Sequence, residues 1–208
     1  MVKKYPKIEV WGPKKSRTFR VLWALEELQV PYIHHHIDFK KKENKTDLFL
    51  AMNPFSKVPV LKFGETTLFE SGAIVEFLAA QFPEKNLAPP SQSSLYAKYL
   101  QWNYFAMTEL EQPLWSMAKH KFALPFEYRV SGMDKTALFE FDKALEVIEK
   151  EMFDKTYLLG ENFYGCDILI GHTLQWARSA KFLDESHPYT LNYMKRLNKR
   201  NSIDKLRA

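Results

Sequence analysis

Asn53-Pro54-Phe55-Ser56-Lys57-Val58-Pro59-Val60-Leu61 is the stretch whose reading decides the fold. Two prolines bracket a short loop, and the apolar run Val58–Phe63, interrupted by Lys62, reads as a strand. A proline cannot donate to a β-ladder, so Pro59 belongs at a strand start or edge. An X-Pro bond in such a place is a natural site for a cis peptide. A loop held open in this way leaves the N–H and C=O of Val58 free to pair with something extended.

Working outward, Lys7 to Trp11 alternates apolar and polar residues and reads as a first strand, closed by Gly12-Pro13. Ser16 is a good N-cap for the amphipathic segment carrying Val21, Ala24, Leu25 and Leu28. Val30-Pro31 ends that helix, and Tyr32 to Phe39 reads as a second strand. Lys40 to Lys45 is a charged loop, and Thr46 to Met52 a short helix. After the strand at 58–63 come a turn at Gly64-Glu65, a strand at 66–69 and a helix from Ser71 to Phe82. His34 and His36 fall on one face of the second strand, but no carboxylate or cysteine is spaced to complete a metal site with them.

Pro83 to Ser94 is proline- and serine-rich and reads as a linker. Beyond it, no strand pattern competes with helix. Leu95, Tyr99 and Trp102, and again Tyr96, Leu100 and Asn103, follow helical spacing on two sides of one segment, which Pro113 is expected to kink or end. Further helices are expected around Leu138 to Met152, from Asp167 to Arg178, and from Pro188 and Asn201.

Composition bounds the function. The 208 residues hold 46% apolar and 26% charged side chains, ordinary for a globular chain. Seven glycines argue against a glycine-rich nucleotide cradle. The single cysteine, Cys166, excludes an intramolecular disulfide and a CxxC redox pair. The N-terminus lacks an apolar segment of signal-peptide length and no stretch is long enough to span a membrane, so a cytoplasmic protein is expected. The net charge of +5 equals the excess carried between Lys195 and Ala208. With no aromatic interleaving or recognition motif there, the segment reads as a solvated helical face, not a nucleic-acid site.

Ser16 opening a helix, the Asn53–Leu61 loop, and Glu70-Ser71-Gly72-Ala73-Ile74 occur in that order. Taken together they resemble the cytosolic glutathione transferases, most closely serine-dependent enzymes of bacterial type, similar to the theta and phi classes. The resemblance implies a thioredoxin-like α/β domain (1–83) that binds glutathione, a linker (84–94), and an all-helical domain (95–208). The last would carry the electrophile pocket and the dimer contacts. It further implies a homodimer in which each first domain packs on the partner's helical domain. Before the buried helix the family carries Gly, Ser or Thr, two small residues and Asp. Here Asp167 matches, but Tyr164 stands at the capping position, and a tyrosine cannot cap as Ser or Thr does.

The same resemblance assigns roles. Val58, with Pro59, pairs its main chain with the cysteinyl backbone of glutathione. Glu70 takes the ammonium of the γ-glutamyl end, and the hydroxyl and N–H of Ser71 take its carboxylate. Lys45 and Lys57 hold the glycine carboxylate, while Asn44 stands where the phi class often has histidine. Ser16 is the residue for chemistry, with Thr18 its rival: a hydroxyl donor at a helix N-terminus favours the thiolate. A free thiol with a pKa near 8.5 is only about 3% ionised at neutral pH, and lowering it by about two units takes roughly 2.7 kcal/mol. Tyr104, Met107, Glu111 and Trp115 are the candidates for contact with a small hydrophobic electrophile. Glutathione is thus the co-substrate, with no metal. The alternatives are glutathione-dependent peroxide or disulfide reduction, and a non-catalytic interaction protein of this fold, such as the stringent starvation protein or the gamma subunit of a translation elongation factor.

Overall fold

The structure, a computed structural model, describes residues 5–207. Met1 to Lys4 and Ala208, which the sequence reading counted in the lysine-bearing N-terminus and the basic C-terminal segment, lie outside the described residues.

The chain forms two compact units, Met1–Ala88 with Asn201–Ala208, and Pro89–Arg200. In the first, β1 (Ile8–Trp11), β2 (Ile33–His35), β3 (Val60–Phe63) and β4 (Thr66–Phe69) form one sheet in the order β2-β1-β3-β4. β1 runs parallel to β2 and antiparallel to β3, and β4 is antiparallel to β3. The helices are α1 (Thr18–Leu28), α2 (Asp47–Met52) and α3 (Ser71–Gln81). Parallel neighbours need a crossover, and α1 supplies it between β1 and β2. Val21, Leu22, Leu25, Ile74, Val75 and Leu78 are fully buried, with Val10, Val60 and Leu61 of the sheet beside them. This is the thioredoxin-like arrangement that the three motifs implied.

β2 is three residues long, not the eight of the expected 32–39 strand. The remainder of that stretch is drawn into a turn in which the Asp38 N–H donates to Glu43 Oε2 (2.7 Å) and the Lys40 N–H to Asp38 Oδ1 (2.8 Å). Side-chain acceptors of this kind compete with a ladder.

The second unit contains α4 (Ser94–Phe105), α5 (Glu111–Ala118), α6 (Met133–Glu151), α7 (Gly165–Ser179) and α8 (Pro188–Asn198). Pro113 does not end its helix. It lies in the first turn of α5, directly after a π turn at Ala106–Leu110 whose closing bond runs from the Glu111 N–H to the Ala106 carbonyl. The wider turn relieves the clash a proline makes with the carbonyl four residues back. α7 is the buried core helix, with Ile168, Leu169, Ile170 and Leu174 fully covered. The last helix, α9 (Asn201–Arg207), belongs to the first unit. The helical unit therefore stops at Arg200, where the sequence reading carried it to residue 208. The reason is burial: Ile203 is fully covered, and Ser202 Oγ donates to Glu27 on α1 at 2.5 Å.

Candidate functional site

β1 delivers the chain to Gly12, which takes φ +139 and lies where an added Cβ would fall 2.0 Å from Thr18 Oγ1 and 2.9 Å from the Val58 Cβ. Only a residue without a side chain lets the start of α1 and the Val58 loop approach this closely. Backbone and side chain both hold the turn: the Gly12 N–H donates to the His35 carbonyl (3.0 Å), and His34 Nε2 donates to the Gly12 carbonyl (2.7 Å). His34 and His35 thus serve the turn. Among the described residues, no group of three or more His, Cys, Asp or Glu stands together as metal ligands.

Ser16 follows at the mouth of α1. Its Oγ accepts the Thr18 N–H (3.1 Å) and lies within reach of two acceptors for its own proton, the Pro13 carbonyl (2.7 Å) and Thr18 Oγ1 (2.9 Å). Ser16 is half-buried, while Thr18 is fully buried beneath Gly12. Of the two hydroxyls, the Ser16 hydroxyl is the one open to a ligand.

The Val58–Pro59 bond is cis. Sheet pairing starts only at Val60 opposite Trp11, so Val58 lies outside the ladder and remains half-buried. Its side chain packs with Trp11 and Met52 against the buried cluster of Ile37, Phe49 and Val60. The loop before it is tied down by Asn53, whose Nδ2 donates to the Lys57 carbonyl (2.8 Å) and whose Oδ1 accepts the Phe55 N–H (3.1 Å). Asn44 clasps the same loop: its Nδ2 donates to the Ser56 carbonyl at 2.7 Å, and Ser56 Oγ donates to its carbonyl at 2.7 Å. This clasp brings together the two segments carrying Lys45 and Lys57, both exposed. Asn44 therefore has a local structural role that its sequence position did not reveal.

Glu70 is exposed and holds φ 70, ψ 109, an uncommon conformation for a residue with a side chain. Ser71 follows as the first residue of α3 and is 1% exposed. Its Oγ accepts from Arg20 of α1 at 3.1 Å. Arg20 was not singled out in the sequence. The available signal was a charge on the inward side of an amphipathic helix, four residues before Ala24.

Ser16, Val58, Glu70 and Ser71 thus lie at the ends of β1, β3 and β4 and the starts of α1 and α3, linked by the Gly12 contacts and the Arg20–Ser71 bond. The four electrophile candidates differ from one another. In the helical unit Tyr104 is 65% exposed, Met107 and Trp115 are half-buried, and Glu111 is 4% exposed. Cys166 is fully buried, with its thiol pushed up by that burial and away from the reactive thiolate form.

A thioredoxin-like unit joined to a helical unit is the fold of solved glutathione transferases. The glutathione transferase URE2P6 from Phanerochaete chrysosporium, solved in complex with oxidized glutathione, superposes with a TM-score of 0.85 at 23% identity, over 97% of this chain and 94% of that one. Residues 6–80 match the glutathione S-transferase N-terminal domain. Glutathione S-transferase theta-1 of Bos taurus is 32% identical over 78% of this chain and 70% of its own, and glutathione S-transferase F6 of Arabidopsis thaliana is 28% identical over 96% and 98%. The chain belongs to the glutathione S-transferase family and is an enzyme of that class.

Proposed function

We propose that the chain binds glutathione as co-substrate, holds its thiol as the thiolate at Ser16, and conjugates it to small hydrophobic electrophiles, as a serine-dependent transferase similar to the theta and phi classes. The observation that carries this reading is the contrast between the half-exposed Ser16 hydroxyl at the N-terminus of α1 and the closed-off Thr18 beneath Gly12. Ser16 Oγ already accepts the Thr18 N–H. When a thiolate arrives, its proton turns from the Pro13 carbonyl or Thr18 Oγ1 to the sulfur, giving a charge-assisted bond beside the positive end of α1. Val58 offers its free main chain to the cysteinyl residue. Glu70 takes the ammonium, Ser71 the γ-glutamyl carboxylate, and Lys45 and Lys57 the glycine end.

Ser16→Ala removes one charge-assisted bond worth about 1.5–3 kcal/mol. Turnover of an aryl halide at neutral pH should fall roughly ten- to a hundredfold, with a smaller change in glutathione affinity and partial recovery in alkaline buffer. Thr18→Val should leave the pH profile in place. A profile that moves with Thr18→Val and not with Ser16→Ala would transfer the donor role to Thr18. Failure of the wild type to bind immobilised glutathione would instead favour a scaffold. Peroxide and mixed-disulfide substrates separate reduction from conjugation. The proposal includes a cytoplasmic homodimer, and sedimentation at the mass of one 24.5 kDa chain at micromolar concentration would sink the dimer.

A further inference from the structure

Arg20 is fully buried on α1, and the other buried polar side chains described in the first unit, Thr18, Asn53, Ser71 and Ser202, carry no charge. A buried guanidinium needs partners that repay its desolvation. One of them is Ser71 Oγ at 3.1 Å, a contact spanning 51 positions of sequence. Arginine has donors and no acceptor. In this bond Ser71 Oγ can only accept, so its own proton is left to give elsewhere. Among the described residues, that proton meets no acceptor. Ser71 is also the first residue of α3, where the helix presents its positive end. Glu70 immediately before it is held at φ 70.

We infer that Arg20 is a positioning residue for the ligand carboxylate. By fixing Ser71 Oγ as an acceptor on its inner side, it directs the hydroxyl proton outward to the γ-glutamyl carboxylate laid on the N-terminus of α3. The inference rests on the glutathione reading and deepens it: the site selects ligands that carry an α-carboxylate at the γ-glutamyl end. At 1% exposure, Ser71 is reached only by an acceptor seated directly on the helix end.

The test compares two ligands by calorimetry, glutathione and 4-aminobutyryl-cysteinylglycine, which keeps the amine and lacks that carboxylate. The wild type should bind glutathione at least tenfold more tightly than the analogue. Arg20→Met should erase most of that preference by weakening glutathione binding about tenfold while leaving the analogue within about twofold. Arg20→Lys, which restores a donor and a charge, should recover part of it. Ser71→Ala should erase the preference to the same extent, and the double variant should lose no more than either single one. If Arg20→Met weakens both ligands equally, or the double variant loses the product of the two single effects, the inference is overturned. Should Arg20→Met fail to fold, Ser71→Ala decides: an unchanged ratio of affinities overturns the inference. A wild type that binds neither ligand overturns the glutathione reading itself, a result distinct from a wild type that binds glutathione and analogue alike.

Discussion

Gly12 is the residue on which the site's geometry most directly depends. A methyl group there would overlap Thr18 Oγ1 at 2.0 Å and touch Val58, and the φ of +139 is one that L side chains rarely adopt. Relief would require α1 and the Val58 loop to move apart, which are the two segments assigned to the thiol and to the peptide backbone. Gly12→Ala should destabilise the first unit by about 2–4 kcal/mol through backbone strain plus the clash, read from urea unfolding. It should also weaken glutathione binding by at least tenfold. Wild-type stability and affinity in this variant would show that the turn adapts without cost. At this scale the sequence was legible where a residue's role is local. Ser16, Val58 and Ser71 stand beside their helix or strand starts, and motif order locates them. Gly12 and Arg20 were not legible as site residues, because their partners Val58 and Ser71 lie 46 and 51 positions away and only the packed fold brings them together.

Among the elements, α7 shows how a departure from the family pattern is absorbed. Tyr164 does not supply a hydroxyl cap, but Asp167 still accepts its N–H at 2.9 Å, and the Asp167 N–H bonds the Tyr164 carbonyl at 3.0 Å. The same carboxylate accepts the Leu158 N–H (3.1 Å) and the Tyr193 hydroxyl (2.7 Å), so three segments of the helical unit meet on one buried group. Burial pushes the Asp167 carboxyl up to about 6, against those donors and the charge of Arg200. In the unfolded chain it titrates near 3.9. A folded value above the unfolded one means that its contribution is complete below about pH 4 and is lost as the pH rises through about 6. Asp167→Ala strands buried donors and should cost about 2–4 kcal/mol at pH 7. The gap in urea midpoint between wild type and variant should widen from pH 7 to pH 5. A gap that narrows over that range would mean that the three donors outweigh burial. Helices of this kind were legible from periodicity alone. The length of β2 and the passage through Pro113 were not, because a side-chain-bonded turn at Asp38 and a π turn before α5 leave no periodic signal.

At the scale of the whole chain, the basic C-terminal segment proves to be structural in large part. Arg196 donates to the carbonyls of Lys155 and Thr156, both at 3.0 Å, and Arg200 lies 3.8 Å over the Phe163 ring while donating to the Tyr157 hydroxyl. Lys205 pairs with Glu26 at 3.7 Å. These three charges have partners within the fold. Among the described residues, no helix is long and apolar enough to cross a membrane. The consequence for the first unit is that its last helix arrives from the far end of the chain. On α1, Glu27 Oε1 accepts both the Trp23 indole N–H (3.0 Å) and Ser202 Oγ (2.5 Å), while Lys14, two residues before Ser16, donates to the Leu206 carbonyl at 3.2 Å. Deleting residues 201–208 uncovers the apolar surface against which Ile203 and Leu206 are buried. Each such side chain contributes about 1.5–3 kcal/mol, offset by the entropy of ordering the helix, so a net loss of about 2–4 kcal/mol is expected in the first unit. Lys14 also loses its anchor, so amide exchange should rise across residues 13–18 and turnover should fall more than glutathione affinity. If the truncated chain proves insoluble, Leu206→Ala together with Ser202→Ala carries the same test. Unfolding and exchange indistinguishable from the full chain would show that α9 rests on α1 without supporting it.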